Sequence, residues 1–189
     1  MSKTIKLGEV VEIQTGYSFR GAVVDAGSGV AVIQAKDINA LYVSDDDLPR
    51  VQQQFPATRL IADGDVLLTS RGSFRGAVAK FDKPAVASSS LFSIRLKSRA
   101  YIPEFLALYL NSTRAQAYLA QSAKGATIQS ISVSDLINLP VPVLSLDKQK
   151  LLVELQQNIE NQGTLLRSKL DIVNQIYTST INKTLEGVY

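Results

Sequence analysis

The chain has 189 residues and contains no cysteine, no histidine and no tryptophan. Without histidine and cysteine it cannot form the Ser–His–Asp or Cys–His sites of nucleophilic enzymes, or a zinc site with Cys and His ligands. Without cysteine it cannot be a disulfide-stapled secreted scaffold. Hydrophobic residues make up 46% of the chain, which instead indicates an ordered globular protein with a core of its own.

Motifs for cofactor-dependent and metal-dependent catalysis are missing as well. Gly27 and Gly29 lack the third glycine of a dinucleotide-binding loop, and no G-x-x-x-x-G-K-[ST] phosphate loop occurs. No acidic residue stands two positions before a lysine, the spacing that a metal-dependent nuclease would want. The consecutive acids Asp45, Asp46 and Asp47 are interpreted as a solvated loop, because neighbouring side chains in a strand or turn point in different directions. We therefore expect no catalytic residue, no metal site and no cofactor, in a chain that is not an enzyme.

Long apolar runs are absent too. No run reaches the length of about 18 residues that a transmembrane helix needs. The opening residues 1–6 lead into no apolar signal core. We therefore expect a cytoplasmic protein without a membrane segment.

The positive charge of the chain is concentrated in one segment. The net charge is only +3. Residues 51–100 hold 8 basic and 3 acidic side chains, whereas residues 1–50 hold 5 basic and 7 acidic ones. A localised basic surface suits a phosphate backbone, and the alternative is a solvated sheet rim.

The chain changes character near the prolines at 140 and 142, which keep that segment out of a helix. We predict a globular domain over residues 1–143 and one long helix over residues 144–189. The first part opens with a short helix or strand at 6–14 and continues with short strands, predicted at 30–34, 65–70, 76–81 and 91–96. A helix over 103–121 and a brief helical turn near Ser132 follow. Strands followed by helices predict an α+β fold with a short-stranded mixed sheet.

The C-terminal segment predicts a helix of about 40 residues, roughly 60 Å long, with Asp147 as its N-cap. Its apolar residues repeat every eleven positions, close to the natural helix period. One series is Leu155, Leu166, Tyr177 and Val188, and the second is Ile159, Leu170 and Ile181. Such a helix has more apolar surface than one small domain covers, so we predict an antiparallel coiled coil with a partner helix. The alternative is a helix that lies back on its own domain.

One hexapeptide, Ser-Phe-Arg-Gly-Ala-Val, occurs at residues 18–23 and again at 73–78. Each copy pairs an arginine with a glycine that permits a sharp backbone turn. We predict two similar loops before strands, at one edge of the sheet.

The order and spacing of five segments resemble half of a type I restriction–modification specificity subunit, namely one target recognition domain and one conserved-region helix. The resemblance spans nearly the whole chain, although Asp147-Lys148-Gln149 departs slightly from the acid-Gln pair that is commoner there. The matching segments are residues 6–18, Gly64–Leu68 with Arg71-Gly72, Ile102–Leu106 with Tyr109-Leu110, Gly125–Ile128 with Ile131, Ser132 and Leu136, and Leu139–Val143 with Gln149.

The resemblance implies a non-catalytic reader of double-stranded DNA. In this family two recognition domains each read half of a split target, and methyltransferase subunits dock on the specificity subunit. It leaves open whether restriction or translocase subunits also join, and whether this chain is a natural half-subunit or a truncated one. With one domain and one helix, the apolar stripe predicts an antiparallel homodimer and an inverted-repeat target. Its expected interface residues are Leu155, Ile159, Leu166, Leu170, Tyr177 and Ile181.

Candidate DNA-binding residues are polar, basic or aromatic side chains in glycine-containing or loop segments. Arginine binds guanine or phosphate, and an adjacent glycine permits close approach of the backbone. The candidates are Tyr17, Arg20, Lys36, Asn39, Arg71, Ser73, Arg75, Ser89, Lys124, Thr127 and Gln129. A protein-interaction adaptor, a coiled-coil dimer whose globular head does not bind DNA, remains the alternative function.

Overall fold

The computed structural model describes residues 3–44 and 47–187, so the predictions that concern Asp45, Asp46 and Val188 lie outside the described residues. The chain divides into two compact units, residues 1–149 and residues 150–189. The described strands all lie in the first unit. They are β1 (Thr4–Lys6), β2 (Val11–Thr15), β3 (Val30–Ile33), β4 (Tyr42–Ser44), β5 (Arg50–Val51), β6 (Leu60–Ile61), β7 (Val66–Thr69), β8 (Gly76–Lys80), β9 (Ala85–Ala87), β10 (Leu91–Leu96) and β11 (Pro140–Pro142).

Five α-helices and two short 3-10 helices, Ala35–Asp37 and Ala57–Arg59, complete the described structure, and none of these helices is long and apolar enough to cross a membrane. The α-helices are α1 (Leu7–Val10), α2 (Pro103–Asn111), α3 (Thr113–Ser122), α4 (Val133–Ile137) and α5 (Leu146–Glu186). The first turn of α5 belongs to the first unit, and the remainder forms the second unit. The predicted α+β fold with a long C-terminal helix is confirmed.

The strands form one five-stranded, one four-stranded and one two-stranded sheet. The five-stranded order is β2-β10-β7-β8-β4, antiparallel except for the parallel pair β4 and β8. The four-stranded order is β5-β3-β9-β6, with β3 and β9 parallel. Strands β1 and β11 pair separately, and the carbonyl of Pro142 accepts a hydrogen bond from the Tyr101 hydroxyl at 3.1 Å.

The five-stranded sheet is covered on both faces, which explains why β7 is a continuous apolar run. On one face Leu67 and Ala77 belong to a core cluster shared with Ile33 of the four-stranded sheet. On the other face α2 packs against β7 and β8. A Cβ atom on Gly76 would lie 3.3 Å from Leu110 Cβ, so the glycine allows α2 to approach the strand closely.

Two helix predictions are corrected by the structure. The predicted helix 103–121 is two helices, because Ser112 leaves the helical conformation and its side chain caps α3 by accepting a hydrogen bond from the backbone of Ala115. Helix α5 begins at Leu146, so Asp147 lies in its first turn and is not the N-cap. An acidic residue there still favours the helix, because it faces the positive end of the helix dipole.

The two copies of the hexapeptide do not form similar loops. The first copy is an irregular loop in which Gly21 has φ +108°. The second copy buries Phe74 and enters strand β8 at Gly76. The prediction of matching conformations was wrong, because the residues around each copy decide its backbone path.

Candidate nucleic-acid interface

The segments that carry the predicted DNA-binding residues lie at one edge of the sheets. In the five-stranded sheet, β2 and β7 end where their antiparallel neighbours β10 and β8 begin. Strand β4 is parallel to β8 and therefore also begins at this edge. In the four-stranded sheet, β3 runs parallel to β9, and the connection from β3 to β4 reaches the same edge. This surface is called the loop edge below. It comprises residues 16–23, 34–41, 70–75, 88–90 and 123–130.

Backbone hydrogen bonds join these segments across the loop edge. The amide of Tyr17 donates to Ala87 O at 2.7 Å, and the amide of Ser70 donates to Ser90 O at 2.8 Å. On the other side, the carbonyl of Ser70 accepts from the amide of Ile131 at 3.1 Å. Segments that are distant in sequence are therefore held in fixed positions relative to one another.

A concave cavity of about 370 Å³ lies at one end of the loop edge. Three predicted residues line it, Tyr17, Lys36 and Ser89. The Tyr17 ring meets the rings of Phe19 and Phe55 edge to face, with centroids 4.9 and 5.1 Å away. These rings fix the wall of the cavity, while Lys36 and Ser89 remain exposed.

The segment 70–75 presents Arg71, Ser73 and Arg75, whose side chains are all exposed. The Thr69 hydroxyl donates to Ser73 O and accepts from the amide of Arg75 at 2.7 Å. Buried Phe74 anchors the same segment in the core. The two arginines therefore project from a backbone that is already fixed.

Residues 124–130 form a small finger, the name used below for this segment. Lys124 and Ser130 exchange two backbone hydrogen bonds of 2.9 and 2.8 Å at its base. The amide of Gly72 donates to Gln129 O at 2.8 Å, which fastens the finger to the segment of Arg71. Thr127 and Gln129 are exposed on it.

The remaining two predicted residues lie in neighbouring connections. Arg20 is exposed in the first hexapeptide copy, just after the aromatic cluster. Asn39 is exposed in the connection between β3 and β4, and its amide donates to Asp37 O at 3.1 Å. All eleven candidates thus lie in loop-edge segments.

The loop edge is strongly basic. Its segments contain five basic residues and one acidic residue, Asp37. Within the described residues no ion pair engages the basic side chains, which are Arg20, Lys36, Arg71, Arg75 and Lys124. The Asp37 carboxylate accepts a hydrogen bond from the amide of Gln34 at 2.8 Å, so it caps a local turn.

The basic excess of residues 51–100 does not form one surface. Arg95 pairs with buried Asp65 at 2.6 Å, and Lys80 pairs with Glu104 at 3.7 Å. Lys83 follows the far end of β8 and lies away from the loop edge. The charge of residues 51–100 therefore overstated what this region contributes to the loop edge, whereas Arg20, Lys36 and Lys124 contribute from outside it.

Sequence reasoning missed several residues that support the interface. Arg59 donates to Thr15 O at 3.0 Å, and Gln53 donates to the Tyr17 hydroxyl at 2.8 Å. The other missed contributors are Phe55 in the aromatic cluster and Gln34 in the cavity wall. Nothing in the sequence marks them, because each joins the site through a contact of long sequence separation.

Asp135 supports the segment that follows the finger, at the start of α4. Its carboxylate accepts hydrogen bonds from the Ser132 hydroxyl at 2.6 Å and the Ser132 amide at 2.9 Å. These bonds hold the pKa of Asp135 below its usual value. The carboxylate is therefore ionised at neutral pH and locks the capping box of α4.

Comparison with known families decides the identity of the fold. Residues 2–175 match the family model of the type I restriction modification DNA specificity domain. The chain belongs to this family. A curated relative, the type I restriction enzyme EcoBI specificity subunit of Escherichia coli, is 25% identical over 175 residues, covering 86% of this chain and 36% of the relative.

Solved structures share the fold of this type I specificity domain. The HsdS subunit from Thermoanaerobacter tengcongensis matches with a TM-score of 0.65 at 23% identity, over 87% of this chain and 38% of that chain. A structure from work on complex assembly and conformational transition of the type I R-M system gives 0.67 at 24% identity, over 87% and 39%. The S subunit from M. genitalium gives 0.58 at 16% identity, over 86% and 41%. The chain thus spans well under half the length of these relatives.

Proposed function

We propose that this specificity domain reads one half of a split DNA target, with the loop edge as its DNA-binding surface. The observation that carries the proposal is the convergence on one edge of five basic side chains, from four separate segments, that form no ion pair in the described part of the chain. Release of counterions from DNA makes such a cluster favourable for binding a phosphate backbone. The exposed polar side chains that lie between these basic residues can form hydrogen bonds with base edges.

The geometry favours this function over a DNA-independent adaptor. Rim charges on an ordinary soluble domain are interspersed in sign, and here one acid accompanies five bases. Arg71 and Arg75 also stand on a hydrogen-bonded segment that costs little further ordering on binding. Duplex DNA as the ligand implies a cytoplasmic location.

We further propose that α5 pairs with α5 of a second copy in antiparallel orientation. Eight exposed apolar residues of α5 are symmetric about Ser168, at distances of 17, 13, 9 and 2 positions. The pairs are Leu151 with Leu185, Leu155 with Ile181, Ile159 with Tyr177, and Leu166 with Leu170. If a two-fold axis passes at Ser168, each of these eight residues in one copy lies opposite its apolar counterpart in the other copy.

A second group of apolar residues on α5 supports docking of methyltransferase subunits. Leu165, Ile172 and Ile176 are 70, 56 and 62% exposed and lie outside the symmetric stripe. Because apolar residues lie on two faces of α5, we expect more than one neighbouring helix to pack against it. In this proposal methylation and any cleavage belong to the other subunits, and the chain supplies recognition alone. It leaves open whether a restriction subunit joins.

Selection from a random duplex pool tests the function. The chain is combined with a type I methyltransferase subunit, and bound duplexes are sequenced at several salt concentrations. We expect an inverted repeat with a fixed spacer and an affinity that falls steeply with salt. Undetectable duplex binding at low salt would favour the adaptor. Methyl transfer by the purified chain alone would contradict its non-catalytic role.

A further inference from the structure

Among the loop-edge residues, Ile128 at the tip of the finger is the one large apolar side chain that is exposed. Ile128 is 63% exposed at the tip, between exposed Thr127 and Gln129. A single exposed aliphatic residue is ordinary on a protein surface. Ile128, however, stands on a segment whose backbone is fixed by hydrogen bonds, and basic side chains lie near it.

The backbone of the finger is built to hold this tip. Gly125 has φ +119°, and a Cβ there would lie 2.3 Å from Ile128 O. Only glycine therefore fits where the chain turns toward Ile128. The two Lys124–Ser130 hydrogen bonds and the bond from Gly72 to Gln129 O hold the base. The position of Ile128 is set before any ligand arrives.

We propose that Ile128 contacts the 5-methyl group of a thymine in the major groove, which makes it a determinant of target specificity. The inference rests on the proposed DNA-binding role of the loop edge. Thymine is the one DNA base that presents a methyl group there, and apolar side chains recognise it. The side-chain amide of the neighbouring Gln129 can accept a hydrogen bond from adenine N6 and donate one to adenine N7. Ile128 and Gln129 together could therefore recognise the thymine and the adenine of one A·T base pair.

Charge complementarity selects DNA as the occupant of the tip. Lys124 stands at the base of the finger, and Arg71 is bridged to Ser130 through the backbone. Both cations are exposed and form no ion pair within the described residues, and the positive charge of Lys124 also acts on the Asp135 carboxylate. Phosphates bound by these cations would bring base edges toward the tip of the finger.

Deoxyuridine substitution tests the contact, because it removes only the methyl group. The reconstituted complex is titrated with its selected duplex, in which each thymine is replaced in turn. With the wild-type chain we expect one position at which affinity falls about three- to fivefold, the effect of one buried methyl group. The Ile128→Ala variant should lose this difference at the same position, and the Ile128→Val variant, which keeps a branched side chain, should retain it.

Each outcome has a definite meaning. Equal responses of wild type and Ile128→Ala at every thymine would overturn the role of Ile128. A target without thymine within reach of the finger would do the same. Failure of the wild-type complex to bind any duplex would instead overturn the DNA-recognition function on which this inference rests.

Discussion

The side chain of Gln149 accepts a hydrogen bond from the backbone amide of Ile102 at 3.0 Å, in a position with no exposure to solvent. Its amide nitrogen also donates to Ala100 O at 2.8 Å and to Leu144 O at 3.0 Å. One buried side chain thus joins the first turn of α5 to the segment before α2 and to the segment after β11.

Replacement of Gln149 by alanine should lower the free energy of unfolding by about 2–4 kcal/mol, because a buried amide and two carbonyl groups lose their partner. Urea denaturation of the full chain measures the change. The matched control is Gln156→Ala, which removes an exposed hydrogen bond to Glu160 and should cost less than about 0.5 kcal/mol. Equal losses in the two variants would contradict the structural role of Gln149.

The titration of Asp135 gives a prediction on pH. Its folded pKa is lowered, first by the hydrogen bond from the Ser132 hydroxyl and then by the Ser132 amide. A lowered folded pKa contributes stability that is fully present above the unfolded pKa of about 3.9 and is lost as the pH falls through the folded value. We therefore expect the capping box to weaken only below about pH 4.

Carboxyl NMR shifts of Asp135 check this expectation. In the wild-type chain the midpoint should lie below that of an unfolded aspartate, and in Ser132→Ala it should move upward, because the largest cause of the lowered pKa is gone. Serine at this cap should also contribute about 1 kcal/mol of stability. A midpoint that does not change in Ser132→Ala would disprove the assigned cause.

Charge-removing variants test whether DNA affinity depends on the loop edge or on the net charge of the chain. Arg71→Gln with Arg75→Gln should weaken binding to unrelated duplexes and reduce the slope of log affinity against log salt by roughly one per lost phosphate contact. The control pair is Lys83→Gln with Arg99→Gln, two exposed residues away from the loop edge. Both double variants have the same net charge. If they weaken binding equally, net charge and not the loop edge governs the affinity.

The hexapeptide shows why part of the fold could be predicted and part could not. Periodicity predicted β3, β7, β8, β10 and the long helix, because apolar runs and turn residues are local signals. It could not predict short strands such as β5, or the different folds of the two Phe-Arg-Gly copies, which depend on distant partners. For Phe19 the distant partner is Phe55, whereas Phe74 is buried in the core.

The loop edge also combines features that local sequence signals predict with features that depend on distant contacts. Residue type and glycine spacing indicated the basic and polar candidates, and the topology places them all in loop-edge segments. The aromatic wall and the support from Arg59 depend on contacts that the sequence does not encode locally.

The same substitution in the two hexapeptides should destabilise the chain for two different reasons. Gly76→Ala places a Cβ 3.3 Å from Leu110 Cβ and 3.4 Å from Ala107 O, so we expect a loss of about 1–3 kcal/mol from crowding. Gly21→Ala meets no atom within 4 Å, and its positive φ costs roughly 1–2 kcal/mol in an exposed loop that is able to relax. Thermal unfolding compares the two variants. Unchanged stability in Gly76→Ala would contradict the assigned packing of β8 against α2.

The proposed antiparallel register is open to a direct test, because the chain has no native cysteine. If the two-fold axis passes at Ser168, residue 155 of one copy lies opposite residue 181 of the other. A mixture of differently tagged Leu155→Cys and Ile181→Cys chains should therefore form a disulfide that links one tag to the other. Leu155→Cys alone should not crosslink, because its two copies would stand about 39 Å apart along the helix at 1.5 Å per residue. Crosslinking of Leu155→Cys with itself would indicate a parallel pair and would overturn the register.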